Sequence, residues 1–377
     1  MREYRICSNC VMDTTDSRIT FDVDGLCDHC RTFRDDVLPN WHPDERGEAE
    51  LIRIADKIRA DGKNRGFDCI LGMSGGFDSS YMLHIAVTQM KLRPLVFHVD
   101  GGWNTRVAVQ NIENVVEKLG LDLFTEVIDW EEMKDLQLAF FKSGVSHIDI
   151  PQDHAFIATL YRFAAKHNIK YILNGFNYST ECVRNPLEWI YHGSDMRQFW
   201  DIQKKFGTRS LKNYPISSIW YHKLYLRYIR RIEMVRPLNY VPYVKEEARR
   251  VMADLYGWEA YPQKHFESRF TRFYEGYWLP TRFGYDTRRV QFSSLILTNQ
   301  MTREDALKEL EKPAIPVDQV PHEIEFVATK LGITPEELIT YRDMPIKSYQ
   351  DYKSQEKLFE IGGKFLHLIG KERTLKR

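Results

Sequence analysis

Residues 67–80 read Phe-Asp-Cys-Ile-Leu-Gly-Met-Ser-Gly-Gly-Phe-Asp-Ser-Ser, and their pattern decides the fold. Cys69, Ile70 and Leu71 form a short apolar run closed by Gly72, which predicts a buried strand. Tyr81, Met82, Ile85 and Ala86 restart the apolar pattern at helical spacing, so a helix follows. Between them, Gly75 and Gly76 free the backbone to turn its N–H groups toward an anion. Ser74, Ser79 and Ser80 add hydroxyl donors, and the helix presents the positive end of its dipole. The result is a phosphate cradle of an uncommon kind, because Gly-x-x-x-x-Gly-Lys-Ser/Thr and its lysine are absent. A bound Mg²⁺ then has to neutralise much of the phosphate charge, and Asp78 is the nearest carboxylate.

Outward from this stretch, residues 94–100 read as a second buried strand ending in Asp100, where a parallel strand delivers residues to a ligand edge; a turn or helix-cap role for Asp100 fits as well. Residues 107–119 fit a crossover helix closed by Gly120, and residues 123–128 a third strand. A helix over 155–167 leads to a fourth strand at Tyr171, followed by a polar loop containing Asn174, Gly175, Asn177 and Glu181. The alternation predicts an α/β fold with a doubly wound parallel sheet and ligands at the carboxyl ends of its strands. Cys182, near that edge, reads as a small apolar residue. Residues 220–234 carry Lys223, Arg227 and Arg230 opposite Tyr221, Tyr225, Ile229 and Ile232. That pattern predicts an amphipathic basic helix, either a solvated face over a core stripe or a phosphate- or membrane-facing patch.

The chain has 377 residues, 43% of them hydrophobic and 13% aromatic, enough for two or three globular domains. Lys plus Arg and Asp plus Glu both count 53, so no overall basic field recruits nucleic acid. The N-terminus lacks a signal-peptide core, and no long apolar run follows, so a cytoplasmic protein without a transmembrane segment is expected. In that compartment cysteines argue for metal or redox use. Cys7-Ser-Asn-Cys10 and Cys27-Asp-His-Cys30 have the spacing of a closed structural Zn²⁺ site, with an iron–sulfur cluster or redox pair as the alternatives. The expected division is a zinc module at 1–40, a linker and amphipathic adaptor helix at 41–66, the nucleotide domain at 67–240, and a mainly helical substrate or partner region at 241–377. Thr302 and Thr334 are placed to cap helices in the last region, and residues 371–377 read as a solvated tail.

Residues 264–289 have poor periodicity and read as a functional loop region. They hold Lys264, Arg269, Arg272, Arg282, Arg288 and Arg289 against Glu267, Glu275 and Asp286, a local basic excess that suits an anionic ligand. Lys264, His265, Glu267, Arg272, Asp286 and Arg288 are the substrate-binding candidates. The competing expectation is that these arginines pair with carboxylates elsewhere and the aromatics pack an interface.

The Ser74-Gly75-Gly76-Phe77-Asp78-Ser79 loop resembles the pyrophosphate loop of the ATP pyrophosphatases, the PP-loop superfamily of GMP, asparagine and NAD synthetases and the tRNA thiolases. With the cysteine pairs and the Lys-His-Phe-Glu-Ser…Leu-Pro…Phe-Gly-Tyr-Asp-x-Arg-Arg segment, nearly the whole chain resembles the N-acetyl sugar amidotransferases of bacterial surface-polysaccharide synthesis, the WbpG- and PseA-like family. The resemblance implies ATP and Mg²⁺ held by Ser74, Gly75, Gly76, Asp78, Ser79, Ser80, Asp100 and Gly175, with Ser74 and Asp78 as the catalytic pair. It implies that a sugar acetamido group becomes acetamidino by way of an adenylated imidate. The sugar, nucleotide-linked or a free sugar acid, serves O-antigen or nonulosonic acid synthesis. The chain has no glutaminase signature, so the resemblance also implies a separate glutaminase subunit that supplies ammonia. A tRNA thiolase is the nearest rival, although only Cys69 and Cys182 remain to serve it; a non-catalytic zinc and nucleotide scaffold is the other alternative.

Overall fold

The computed structural model describes residues 3–368, without the side chains of 222–224 and 363–368; the tail at 371–377 lies outside the described residues. Five strands, β1 (Cys69–Gly72), β2 (Pro94–Asp100), β3 (Leu123–Val127), β4 (Tyr171–Leu173) and β5 (Glu233–Val235), form one sheet in the order β3-β2-β1-β4-β5. Every pairing is parallel, with Ile70 opposite Leu95 on one side and Ile172 on the other. Strand residues alternate faces. Ile70, Phe97 and Ile172 enter one core with the Trp130–Ser143 and Ile150–Lys166 helices. Cys69, Leu71, Val96 and Leu173 enter the other with the Phe77–Thr88 and Arg106–Leu119 helices. Both faces are therefore covered, as the doubly wound reading requires. Strand order reverses between β1 and β4, which opens a crevice at their carboxyl ends.

The adaptor helix spans Glu45–Gly62, is capped by Asp44, and buries Leu51, Ala55 and Ile58. Thr105 caps the Arg106–Leu119 helix, and Gly120 closes it at φ +64°. The C-terminal part is helical, with Thr302 and Thr334 acting as the expected caps. Among the described residues no helix is long and apolar enough to cross a membrane.

Residues 220–234 do not form the expected amphipathic helix. Tyr221–Ile229 is π-helical, Arg231 takes φ +53°, and β5 follows. A π-turn advances the chain differently from 3.6 residues per turn, so the apolar stripe does not stay on one face. Tyr225 and Ile229 are exposed while Leu226 and Ile232 are buried. Lys223 lies among the side chains not described. The same effect overturns the loop reading of 264–289: helices at Arg269–Phe273 and Leu279–Phe283 are joined by a π-turn at Tyr274–Trp278, burying Phe270, Phe273, Tyr274 and Trp278.

Candidate nucleotide site and metal centre

The Sγ atoms of Cys7, Cys10, Cys27 and Cys30 all lie within 4.8 Å of one another, and all four residues are buried. Individual separations are 3.6 Å for Cys10–Cys27 and Cys27–Cys30 and 3.8 Å for Cys7–Cys30. A tetrahedron with metal–sulfur bonds of about 2.3 Å has edges of about 3.8 Å, so the thiolates fit one Zn²⁺-sized ion; a polynuclear cluster would hold them further apart. Backbone N–H groups of Asn9, Cys10, Met12 and Cys27 point at the sulfurs, at 3.3 to 3.5 Å. The module is fastened to the C-terminal helices. Arg303 donates to the carbonyls of Cys7 and Cys10, and Arg289 donates to Val11 O and pairs with Asp13 at 3.0 Å.

At the crevice, the Phe77–Thr88 helix begins at Gly76 with no side-chain cap. Its first amides have no carbonyl one turn earlier to receive them, which suits them to an anion bound at the crevice. Gly75 has φ +82°, and a Cβ there would stand 2.7 Å from Ala108 O, so the loop is pressed against the neighbouring helix. Gly175, after β4, approaches equally closely: its Cβ would meet Asp78 C and O at 2.9 Å. The cavity formed here measures 320 Å³ and is lined by Ser74, Gly76, Asp78, Ser79 and Gly175 together with Lys245, Arg249, Lys264, His265 and Glu267.

Asp78 is held from three sides. Tyr243 donates to Oδ1 at 2.6 Å, Asn177 donates to the same oxygen at 3.2 Å, and Lys264 Nζ lies 3.0 Å from Oδ2. Lys264 also reaches Glu181 at 2.5 Å, so one ammonium bridges two carboxylates. Burial opposes ionisation of Asp78, but Lys264 and Tyr243 outweigh it and hold the carboxyl below its ordinary range. Oxygens of Ser74, Asp78, Glu181 and Glu267 thus surround the cradle, a donor set that suits Mg²⁺ beside bound phosphates.

A second cavity, of 380 Å³, adjoins the first. Gly72, Ser74, Leu160, His265 and Glu267 line both. His265 has φ +67°, a strained backbone for a residue with a Cβ, and its Nδ1 lies 3.1 Å from Glu275. Burial lowers its proton affinity, yet Glu275 more than compensates and raises it from 6.5 to about 9. The folded value exceeds the unfolded one, so the pair's stabilisation is full below about pH 6.5 and is lost as pH rises through about 9. Water screens the pair, since 41% of the imidazole is open. The expected result is a thermal midpoint that falls across that window in wild type and a flatter profile in His265→Gln.

Of the sequence-chosen residues, Ser74, Gly76, Asp78, Ser79, Gly175, Lys264, His265 and Glu267 meet at these cavities. Others do not. Ser80 is buried and donates to Gly76 O, tightening the helix start. Asp100 accepts from Gly102 N at 2.7 Å and Asn104 at 3.1 Å, so it caps its own turn. Arg272 bonds Gln319 and lies 3.6 Å from Glu323, away from both cavities. Arg288, 6% exposed, pairs with Asp286 at 2.6 Å and donates to the carbonyls of Glu309 and Lys312. Arg269, Arg272, Arg282 and Arg288 thus bind the C-terminal helices together, Arg289 holds the cysteine module, and Lys264 is the lysine of this stretch that lines the cradle. Arg288→Ala is expected to destabilise by about 3 kcal/mol, read by urea unfolding, because it leaves the partly buried Asp286 carboxylate and two helix-end carbonyls without their donor. Nucleotide affinity in the folded variant should be unchanged.

Sequence reasoning missed Lys245 and Arg249. They sit one helical turn apart in the Lys245–Tyr256 helix, which reads as a charged surface helix, yet both face the cradle. Burial pulls Lys245 down to about 8 despite Asp78, and Arg249 Nε is buried without a partner. A bound polyphosphate would satisfy both.

Comparison with known proteins gives two family matches, the phosphoadenosine phosphosulfate reductase domain over residues 68–237 and the "LPS biosynthesis protein WbpG-like, C-terminal domain" over residues 267–365. The sheet order and the Ser-Gly-Gly loop at its switch point agree with the first of these matches and make residues 68–237 a PP-loop domain. The chain continues into a WbpG-like C-terminal domain. An uncharacterized protein of Methanocaldococcus jannaschii is 22% identical over 82% of this chain and 94% of its own length. Sulfate adenylyltransferase subunit 2 of Marinobacter nauticus is 27% identical over 55% of this chain and 71% of its own. Among solved structures, an NH₃-dependent NAD synthetase from Campylobacter jejuni aligns over 72% of this chain and 98% of its own, at 14% identity and a TM-score of 0.31.

Proposed function

We propose that this PP-loop protein, an ATP-using enzyme of ligase type, is the synthetase subunit of an N-acetyl sugar amidotransferase serving bacterial surface-polysaccharide synthesis. The observation that carries the reading is the shared wall: the WbpG-like segment supplies Glu267 where the phosphate cradle opens into the second cavity. Polyphosphate belongs with the first amides of the Phe77–Thr88 helix and with Lys245 and Arg249. The α-phosphate then lies at the junction, where an amide oxygen entering from the second cavity can attack it.

An amide carbonyl is a poor electrophile, and its oxygen leaves poorly. Attack of that oxygen on the α-phosphate expels pyrophosphate and gives an adenylated imidate; ammonia adds at carbon, and AMP departs carrying the former amide oxygen. Preorganised loop amides stabilise the charge that develops on pyrophosphate, and Mg²⁺ held at Asp78 would supply Lewis-acid stabilisation of the same charge. Ammonia comes from a partner glutaminase. Cys69, buried in β1, and Cys182, buried against Ser294 O, line neither cavity, which leaves a thiolase without its sulfur carrier.

The test is isotopic. With an acetamido sugar carrying ¹⁸O in its carbonyl, ATP and ammonium chloride, the label is expected in AMP. Label in inorganic phosphate, with ADP as coproduct, would show attack at the γ-phosphate and overturn the reading.

A further inference from the structure

One wall of the second cavity has no task in the chemistry above. Asp149, Asp153 and Glu275 line it, Glu267 closes it toward the cradle, and no lysine or arginine among the described residues lines the cavity. Asp149 is 3% exposed; its carboxylate accepts from Thr271 Oγ1 at 2.8 Å and from Gln152 Nε2 at 3.2 Å. Asp153 stands 3.5 Å from His147, and Glu275 pairs with His265. Burial, reinforced by Asp153, pushes the Asp149 carboxyl up, and burial does the same to Glu267. Both acids are thus biased toward the protonated form while the cavity is empty, and a cation bound at this wall would draw them back to carboxylates.

Tyr274 gives an independent sign of a missing ligand. It lines the same cavity at 2% exposure, and its hydroxyl has no hydrogen-bond partner. An unmet buried hydroxyl costs roughly 1–3 kcal/mol, which a bound donor would recover.

We propose that this wall binds ammonium, the nitrogen source of the reaction argued above, and that Asp149 takes its proton. The inference rests on that reading. One N–H bond of ammonium breaks, its proton passes to the Asp149 carboxylate, and neutral ammonia keeps the lone pair that adds to the imidate carbon. A divalent metal held by protein ligands alone is a poorer fit, because among the described residues only the four cysteines gather three or more acid, imidazole or thiol ligands within 4.8 Å of one another. Carboxylates spaced along a wall, with a tyrosine hydroxyl and amide groups between them, suit a monovalent donor that forms ordinary hydrogen bonds.

Rubidium, which is close to ammonium in size, is the direct probe. Crystals soaked in rubidium chloride are expected to show anomalous density at Asp149 and Glu275 in the wild type and weaker density in Asp149→Asn. With ammonium chloride as the nitrogen donor, Asp149→Asn should raise the KM for ammonium about tenfold while the KM for ATP moves less than about twofold. Tyr274→Phe, which preserves the packing, should shift the ammonium KM in the same direction. No rubidium at this wall, or an unchanged ammonium KM in both variants, overturns the proposal. If the wild type fails to exchange pyrophosphate into ATP with any acetamido sugar, the amidotransferase reading falls, while rubidium density still decides the cation site.

Discussion

Cys27→Ser, or removal of the metal by a strong chelator, is expected to unfold the N-terminal module and strip its contact from the C-terminal helices. Four buried thiols within 4.8 Å of one another have no hydrophobic substitute for the ion that joins them. A structural zinc of this type contributes on the order of 10 kcal/mol, more than the net stability of most domains. Its loss would also bare the apolar cluster in which Cys182, Trp189 and Val290 pack on the module. Metal analysis should find one Zn²⁺ per wild-type chain, and limited proteolysis should cut the Cys27→Ser chain in its first forty residues. An iron-containing, coloured protein would refute the zinc assignment.

Lys264→Met is expected to abolish nucleotide turnover. The substitution keeps the length of the side chain but removes the one ammonium that bridges Asp78 and Glu181. Two carboxylates then face each other at the cradle, at a cost of roughly 3–5 kcal/mol. The structure can relieve that repulsion by protonating one acid or by moving the loop, and either response disorders the phosphate site. The expected readouts are a lower unfolding midpoint and loss of AMP formation, with partial recovery in the double variant Lys264→Met, Glu181→Gln. Wild-type turnover in Lys264→Met would show that the bridge is incidental.

How much of this was legible in the sequence depends on how local each signal is. The cradle was legible because a strand, two glycines and a helix follow one another within fourteen residues, so the switch from strand to helix period is visible. The metal centre was legible because each cysteine pair is a unit in sequence. Lys245 and Arg249 were not, since a helix with charges on several faces looks alike whether it faces water or a phosphate. The arginines of 264–289 misled for a related reason: their partners, Glu323, Gln319 and the carbonyls of Glu309 and Lys312, are distant in sequence. The π-turns at Tyr221–Ile229 and Tyr274–Trp278 defeated periodicity outright.

The grip of Arg303 on the carbonyls of Cys7 and Cys10 has a consequence for biosynthesis. These groups are separated by 296 and 293 residues, so the cysteine module, made before the helix that carries Arg303, waits through all of the synthesis between them before its outer face is covered. The metal can be captured early, because all four cysteines emerge together. Docking cannot occur until the helix that carries Arg303 has been made. A chain released early, truncated before the Arg288–Leu297 and Arg303–Glu311 helices, would carry a metal-loaded knuckle with its apolar side uncovered. Such a fragment is a natural target for chaperones and proteases.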